Sequence, residues 1–285
     1  MASSDALFHA CRGMRCPSRK DSQRSLETAL VPPGIVVDLQ RVGSGTPILL
    51  LHGVEGVQED HDLISRLSEN HEVVAPTHPG FGLSPLPKWF ETVEDIAYTY
   101  LSLLDVLDLR NVHVVGLQFG AWVAAEMAIR DCSRMSGMTL VSPVGIKTGG
   151  PMDREIVDVF ATSRQNLDSA RFADPQNNPL RDLKAASRET VLFAARNEEA
   201  LATYTWEPYM HNPRLKHWLN RITVPVTVIR GDQDRITDAD YSRGFADLLP
   251  RAALEVIPGA AHCAQIDQPG QVADIITNAQ TKEGF

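Results

Sequence analysis

The chain has 285 residues, of which 43% are hydrophobic and 22% charged, and this fits one large globular α/β domain with an insertion. Its formal net charge of -9, with no basic stripe, argues against generic binding to nucleic acid or an anionic membrane. No apolar run approaches the roughly 18 residues of a membrane span, and the opening residues lack the apolar centre of a secretory signal. We therefore expect a cytoplasmic protein that takes a small-molecule ligand.

The sequence also argues against a metal or a cofactor. Its cysteines show no paired or metal-ligating spacing, so we expect reduced thiols and no structural zinc; they are Cys11, Cys16, Cys132 and Cys263. The Gly-x-Gly at residues 80–82 lacks the strand-to-helix spacing of a dinucleotide fingerprint. No cofactor is implied.

The predicted elements alternate between strands and helices from Gly34 onward, which is typical of a mostly parallel sheet. Residues 1–33 are predicted to be an N-terminal extension, either poorly ordered or appended at an edge. Short apolar runs predict strands at residues 35–41, 47–51, 72–76, 112–115, 138–141, 224–229 and 253–257. Amphipathic spacing predicts helices at residues 92–107, 122–129, 241–249 and from 271.

The alternation stops in one long segment of the chain. Residues 146–219 read as helical and irregular, and they are interrupted by Pro151, Pro175, Pro179 and Pro208. We interpret this segment as an inserted helical cap, with residues 34–145 and 220–285 forming the core.

A strand-to-helix junction carries the most informative motif, Gly116-Leu117-Gln118-Phe119-Gly120. A nucleophile elbow, Gly-x-Ser-x-Gly, occupies such a junction in many hydrolases, and its glycines let neighbouring backbone pass a strained turn. Both glycines are present here, but the central residue is glutamine.

Four further motifs occur in a matching order: Leu-His-Gly-Val-Glu-Gly at 51–56, Pro-Gly-Phe-Gly-Leu-Ser at 79–84, Gly-Asp-Gln-Asp at 231–234 and Pro-Gly-Ala-Ala-His at 258–262. With the elbow, they make the chain resemble the α/β-hydrolase superfamily from about Gly34 to the C-terminus. The resemblance implies a mostly parallel central sheet flanked by helices, with an inserted cap. The capped organisation is similar to that of carbon–carbon bond hydrolases of ring-cleavage products and related esterases.

The same resemblance implies roles for individual residues. Asp234 corresponds to the acid and His262 to the histidine of a catalytic triad, and the main-chain amides of Val54 and Phe119 would form an oxyanion hole. The alternatives are a helix N-cap for Asp234 and a surface-loop position for His262. Gln118 occupies the nucleophile position.

Glutamine cannot replace the nucleophilic serine. A carboxamide donates and accepts hydrogen bonds but is a poor nucleophile, so an acyl-serine intermediate at residue 118 is excluded. Ser84 and Ser142 lie on neighbouring loops, and nothing in their sequence contexts resembles a strained elbow.

Several residues are candidates for contact with a substrate. His52 either contacts the substrate or braces its loop, and bracing is favoured. Glu55 either faces the pocket or is a solvated loop carboxylate, and the solvated interpretation is favoured. Trp206 and Tyr209, with Met210, either line a ligand cavity or pack the cap against the core.

Two classes of function follow. The favoured hypothesis is an enzyme in which His262, oriented by Asp234, acts as a general base on water or on the substrate, while Gln118 positions water or a carbonyl group. Hydrolase and lyase chemistry both fit it. The alternative is a non-catalytic ligand- or partner-binding pseudo-hydrolase, or a nucleophile-substituted variant of a serine hydrolase.

Overall fold

The structure is a computed structural model that describes residues 25–57, 62–150 and 152–281. The strands in this part of the chain are β1 (Ser25–Val31), β2 (Ile35–Val42), β3 (Thr46–Leu51), β4 (His71–Pro76), β5 (Val112–Leu117), β6 (Met135–Val141), β7 (Val226–Gly231) and β8 (Ala252–Ile257). They form one sheet in the order β1-β2-β4-β3-β5-β6-β7-β8. β2 pairs antiparallel with β1 and β4, and the remaining pairs are parallel. The predicted mostly parallel sheet is confirmed.

Helices flank this sheet. In the described residues they are α1 (Asp62–Leu67), α2 (Val93–Val106), α3 (Phe119–Arg130), α4 (Arg164–Arg171), α5 (Arg188–Thr205), α6 (Ala239–Asp247), α7 (Ala264–Asp267) and α8 (Pro269–Thr281). The predicted strands correspond to β2 through β8, and the predicted helices to α2, α3, α6 and α8. The short helices α1 and α7 have no counterpart in the prediction.

Part of the predicted N-terminal extension agrees with the second of its two interpretations, an appendage at the edge of the sheet. From Ser25 it contains the edge strand β1, in which Ala29 and Val31 are buried while Leu26 and Leu30 are exposed. This alternation is that of a strand with one covered face, and α2 packs against it. Residues 1–24, which make up the rest of the predicted extension, lie outside the described residues.

Strand β3 lies near the centre of the sheet, and its apolar side chains are buried on both faces. Leu49 and Leu51 belong to the core layer shared with α2 and α3, whereas Ile48 and Leu50 belong to the layer shared with α1 and α8. Since successive side chains of a strand point to opposite faces, one continuous apolar run supports both layers.

The segment 146–219 connects β6 to β7 and contains α4 and α5. The Tyr204 hydroxyl donates to the carbonyl of Pro79 at 3.0 Å, and the Asn197 side chain accepts from the Gly82 amide at 2.7 Å. Both partners follow β4, so α5 covers loops at the carboxyl ends of the parallel strands, where ligands bind in open α/β sheets. Its assignment as a separate cap domain remains a prediction.

A helix needs about 20 mostly apolar residues to span a bilayer. Among the helices of the described ranges, none meets that requirement.

Candidate active site

Gln118 is the single residue between β5 and α3, and its backbone has a φ of 49° and a ψ of -105°. Residues other than glycine rarely adopt this left-handed φ, so the turn is strained. A Cβ atom on Gly120 would collide with the main-chain oxygen of Leu51, and one on Gly116 would lie 2.5 Å from the Ala121 Cα atom. The predicted requirement for small residues on both sides of the turn is confirmed.

The Gln118 carboxamide is held by three hydrogen bonds. Its Nε2 donates to the main-chain carbonyl of His262 at 3.0 Å and to Oε1 of Gln265 at 2.9 Å, and its Oε1 accepts from Nε2 of Gln265 at 3.3 Å. The opposite flip of the amide would bring two carbonyl oxygens together, so the assignment of nitrogen and oxygen is fixed. Both Nε2 hydrogens are used, whereas Oε1 keeps one lone pair.

Asp234 and His262 meet across the loops that follow β7 and β8. His262 Nδ1 lies 2.9 Å from Asp234 Oδ2, and both side chains are buried. The other carboxylate oxygen accepts from the amides of Ile236 and Thr237 at 2.9 and 3.1 Å. Asp234 is not the N-cap of α6. That position is taken by Asp238, whose side chain accepts from the amide of Tyr241.

Burial disfavours the charged form of Asp234, but His262 and the two amides outweigh it, so the pKa of this carboxyl is lowered. An ionised carboxylate can only accept hydrogen bonds. In the neutral imidazole of His262 the proton therefore lies on Nδ1, and Nε2 is the acceptor.

A small cavity lies between the elbow and this pair. Its volume is about 30 Å³, and its wall includes Gln118, His262, Val54, Phe119 and Arg171 together with apolar side chains of segment 146–219. A water molecule needs roughly 10–15 Å³ on this scale, whereas pockets for organic ligands occupy about 300–1,000 Å³. The cavity therefore has room for one or two water molecules.

His52 does not offer a nitrogen to a substrate. Its Nδ1 lies 2.6 Å from the carbonyl of Gly53, and its Nε2 accepts from the amide of His78 at 2.9 Å. His78 in turn bonds the hydroxyl of Tyr100 at 2.7 Å. Burial lowers the pKa of His52 to about 4, so it is neutral at pH 7. These bonds agree with the favoured interpretation of His52 as a brace for the loop, and the substrate contact also considered for it has no free ring nitrogen.

The interpretation of Glu55 as a solvated carboxylate is wrong. Its side chain is 6% exposed and pairs with Arg171 at 3.4 Å, and the thiol of Cys263 donates to it at 3.5 Å. The pKa of Cys263 is raised by burial and by the charge of Glu55. The sequence could not show this burial because Arg171 comes from segment 146–219, whose docking is a tertiary feature.

Of the predicted cap aromatics, neither reaches the cavity. Trp206 follows the last residue of α5 and is 64% exposed. The hydroxyl of Tyr209 donates to the carbonyl of Val157 at 2.6 Å, which braces the segment internally. The neighbouring Met210 does line the cavity.

Ser142 has a strained backbone, although its sequence context does not resemble an elbow. It follows β6 with a φ of 46°. The hydroxyls of Ser84 and Ser142 are buried without a hydrogen-bond partner in the described part of the chain. Neither serine is among the described residues lining the cavity.

Sequence reasoning missed Gln265, Arg171 and Cys263. Gln265 and Cys263 stand within three residues of His262, so proximity to the triad motif was the available signal. Arg171 carried none. Across residues 25–57, 62–150 and 152–281, no group of three or more His, Cys, Asp or Glu side chains is placed to hold a metal ion.

Comparison with solved structures shows the fold. The chain is similar to a membrane phospholipase A described as a bacterial virulence factor, with a TM-score of 0.76 and 21% identity over 91% of this chain and 87% of that one. It is also similar to a variant of the meta-cleavage product hydrolase from Pseudomonas fluorescens IP01, with a TM-score of 0.72 and 20% identity over 90% of this chain and 97% of that one.

Sequence comparison identifies relatives along most of the chain. The 2-hydroxymuconate semialdehyde hydrolase of Pseudomonas sp. strain CF600 is 24% identical over 87% of this chain and 91% of its own length. The 2-hydroxy-6-oxo-2,4-heptadienoate hydrolase of Pseudomonas putida F1 is 27% identical over 82% and 89%. The model of the alpha/beta hydrolase family matches residues 48–275. The chain therefore belongs to the alpha/beta hydrolase family.

Proposed function

We propose that the protein is a hydrolase for a small organic carbonyl compound, in which water, and not a side chain, is the nucleophile. The observation that carries this proposal is the water-sized cavity bounded by His262, Gln118, Val54 and Phe119. A general base must lie within hydrogen-bond reach of the proton it removes. His262, aligned by Asp234 through Nδ1, lines that cavity, and we infer that its Nε2 is the acceptor that faces it.

The hydrogen bonds of Gln118 support a specific role for this residue. Its Nε2 hydrogens are both engaged, so the carboxamide has no donor left to polarise a substrate carbonyl. Its Oε1 still accepts one hydrogen bond. We infer that a water molecule donates one hydrogen to Gln118 Oε1 and the other to His262 Nε2, so that its oxygen lone pair faces the substrate.

In the proposed reaction, the water oxygen attacks the carbonyl carbon while His262 removes a proton. The carbonyl oxygen becomes an oxyanion, which the amides of Val54 and Phe119 stabilise. When the intermediate collapses, the leaving group departs with its bonding electrons and takes a proton from His262. No covalent enzyme intermediate is formed, and Asp234 remains ionised throughout.

The substrate class is proposed from the relatives. The two Pseudomonas hydrolases are named for a semialdehyde and an oxo-dienoate, and similar solved structures include esterases. We therefore propose vinylogous keto acids or small esters as substrates. Since the cavity of about 30 Å³ cannot hold either, segment 146–219 must shift to admit them.

Turnover of 2-hydroxymuconate semialdehyde and p-nitrophenyl acetate tests the proposal. Replacing His262 with alanine should reduce kcat by about 10²–10⁴-fold, the usual contribution of a general base. His217→Ala is the matched control, because His217 is exposed on the surface. Equal activity of the two variants would exclude His262 as the base.

The small size of the cavity favours a second candidate, a non-catalytic binding protein. A carboxamide bonded on both sides in a nearly filled site suits a scaffold that has lost turnover. In that case a ligand of the same class would bind and be recovered unchanged after long incubation, and His262→Ala would alter affinity alone.

A further inference from the structure

Gln265 makes two reciprocal hydrogen bonds with the residue at the nucleophile position, although it belongs to no triad. It lies in α7, is 2% exposed, and both accepts from and donates to the Gln118 carboxamide, at 2.9 and 3.3 Å. Each of these carboxamides therefore fixes the flip of the other.

This pairing matters because the last torsion of a glutamine side chain is broad and roughly two-fold. With only the bond to the His262 carbonyl, the Gln118 carboxamide would be free to rock about a single contact. A second bond to Nε2 and a donor to Oε1 leave one orientation. In it, one lone pair of Oε1 accepts from Gln265, and we infer that the other is open to a water molecule in the cavity.

The loop that carries Gln265 is itself anchored. The Asp267 carboxylate accepts from the amide of Ala261 at 2.9 Å and from the amide of Ala173 in segment 146–219 at 2.9 Å. The amide of Cys263 donates to the carbonyl of Arg171 at 2.8 Å. Gln265 is thus held from both sides and forms a rigid support for Gln118.

We propose that Gln265 is a positioning residue that sets the orientation of the Gln118 carboxamide and thereby of the nucleophilic water. This inference rests on the proposed hydrolase function. It predicts that Gln265 influences the rate only through Gln118 and has no separate contact with the substrate.

The test uses Gln265→Met, which keeps the length of the side chain and removes both hydrogen bonds. With p-nitrophenyl acetate, kcat should fall about tenfold, because the water loses its one hydrogen bond to a correctly oriented Gln118 Oε1. KM and the pH profile should stay unchanged. Gln271→Met is the matched control, since Gln271 is exposed on α8.

In a Gln118→Met background, Gln265→Met should cause no further loss of kcat. An unchanged kcat, or an additive loss in the double variant, would overturn the inference.

Side-chain ¹⁵N NMR gives a readout that does not need turnover. Hydrogen exchange of the Gln118 carboxamide should be slow in the unsubstituted chain and fast in Gln265→Met. Unchanged exchange would refute the positioning role even if no substrate were found. If His262→Ala retains full activity, the hydrolase proposal fails; if it loses activity but Gln265→Met does not, only this inference fails.

Discussion

On one side of the cavity, His262 forms a buried pair with Asp234, in which Nδ1 of the imidazole bonds the carboxylate. On the other side, Gln118, which occupies the turn of the elbow, and Gln265 of α7 form a pair of neutral side-chain carboxamides. The first side joins an ionisable acid to a histidine, whereas the second joins two carboxamides at the turn after β5.

The difference shows that the elbow geometry does not depend on a reactive side chain. Gly116 and Gly120 allow the close backbone approach, and the strained φ of 49° persists around a glutamine. The acid–base pair, in contrast, depends on the identity of every partner, because a change of donor to acceptor alters the tautomer of His262.

The largest expected effect comes from Asp234→Asn. An asparagine can keep accepting from the amide of Ile236 while it presents an NH₂ group to His262. His262 would then carry its proton on Nε2 and lose its acceptor toward the cavity. We expect kcat to fall by about 100-fold or more with p-nitrophenyl acetate, as when a general base is lost. Activity within a few fold of the unsubstituted chain would mean that the pair does not act as a base.

The second-largest effect is expected for Gly120→Ala, which tests the close backbone approach at the elbow. The added methyl group would meet the main-chain oxygen of Leu51, which cannot move without shifting β3. We expect the free energy of unfolding, measured by urea denaturation, to fall by about 3 kcal/mol, which is the upper end of the usual range for overpacking. Gly270→Ala is the control, because a Cβ there meets only the far end of the Arg66 side chain. Equal stability of both variants would show that the close approach is not required.

A smaller effect concerns the loop beneath Gln118. Because the pKa of His52 is lowered to about 4 from an ordinary 6.5, the unfolded chain binds the proton more readily. This contribution to the free energy of unfolding is fully present above pH 6.5 and is lost as the pH falls toward 4, and the loss at pH 5 is about 2 kcal/mol. Urea denaturation at pH 7 and pH 5 should show this slope, and His52→Gln should reduce it. An identical slope in His52→Gln would assign the pH dependence to other groups.

Much of the fold was predictable from local patterns. The apolar run of β3 and the amphipathic spacing of α2 are local patterns of the sequence, so periodicity alone located both elements. Strand β1 was missed because its short alternation lies in a polar stretch and its pairing with β2 is a tertiary contact.

In the candidate site, too, the residues in local motifs were predictable and the tertiary contacts were not. Gln118, Asp234 and His262 follow strands in recognisable motifs. Gln118 and His262 line one cavity, and Asp234 bonds His262. The burial of Glu55 depends on Arg171, more than 100 positions away in segment 146–219, and no local pattern encodes such a pairing. The exposure of Trp206 likewise depends on where α5 ends and docks.

The central claim is that water replaces the side-chain nucleophile, and rapid mixing with p-nitrophenyl acetate tests it most directly. Release of p-nitrophenolate should be linear from the first turnover, and the intact-protein mass during turnover should show no acetyl adduct. The Gln118→Ser variant should instead show a burst and an adduct at residue 118. A stoichiometric burst in the unsubstituted chain, with an acetyl group on Ser142 or any other residue, would contradict the account.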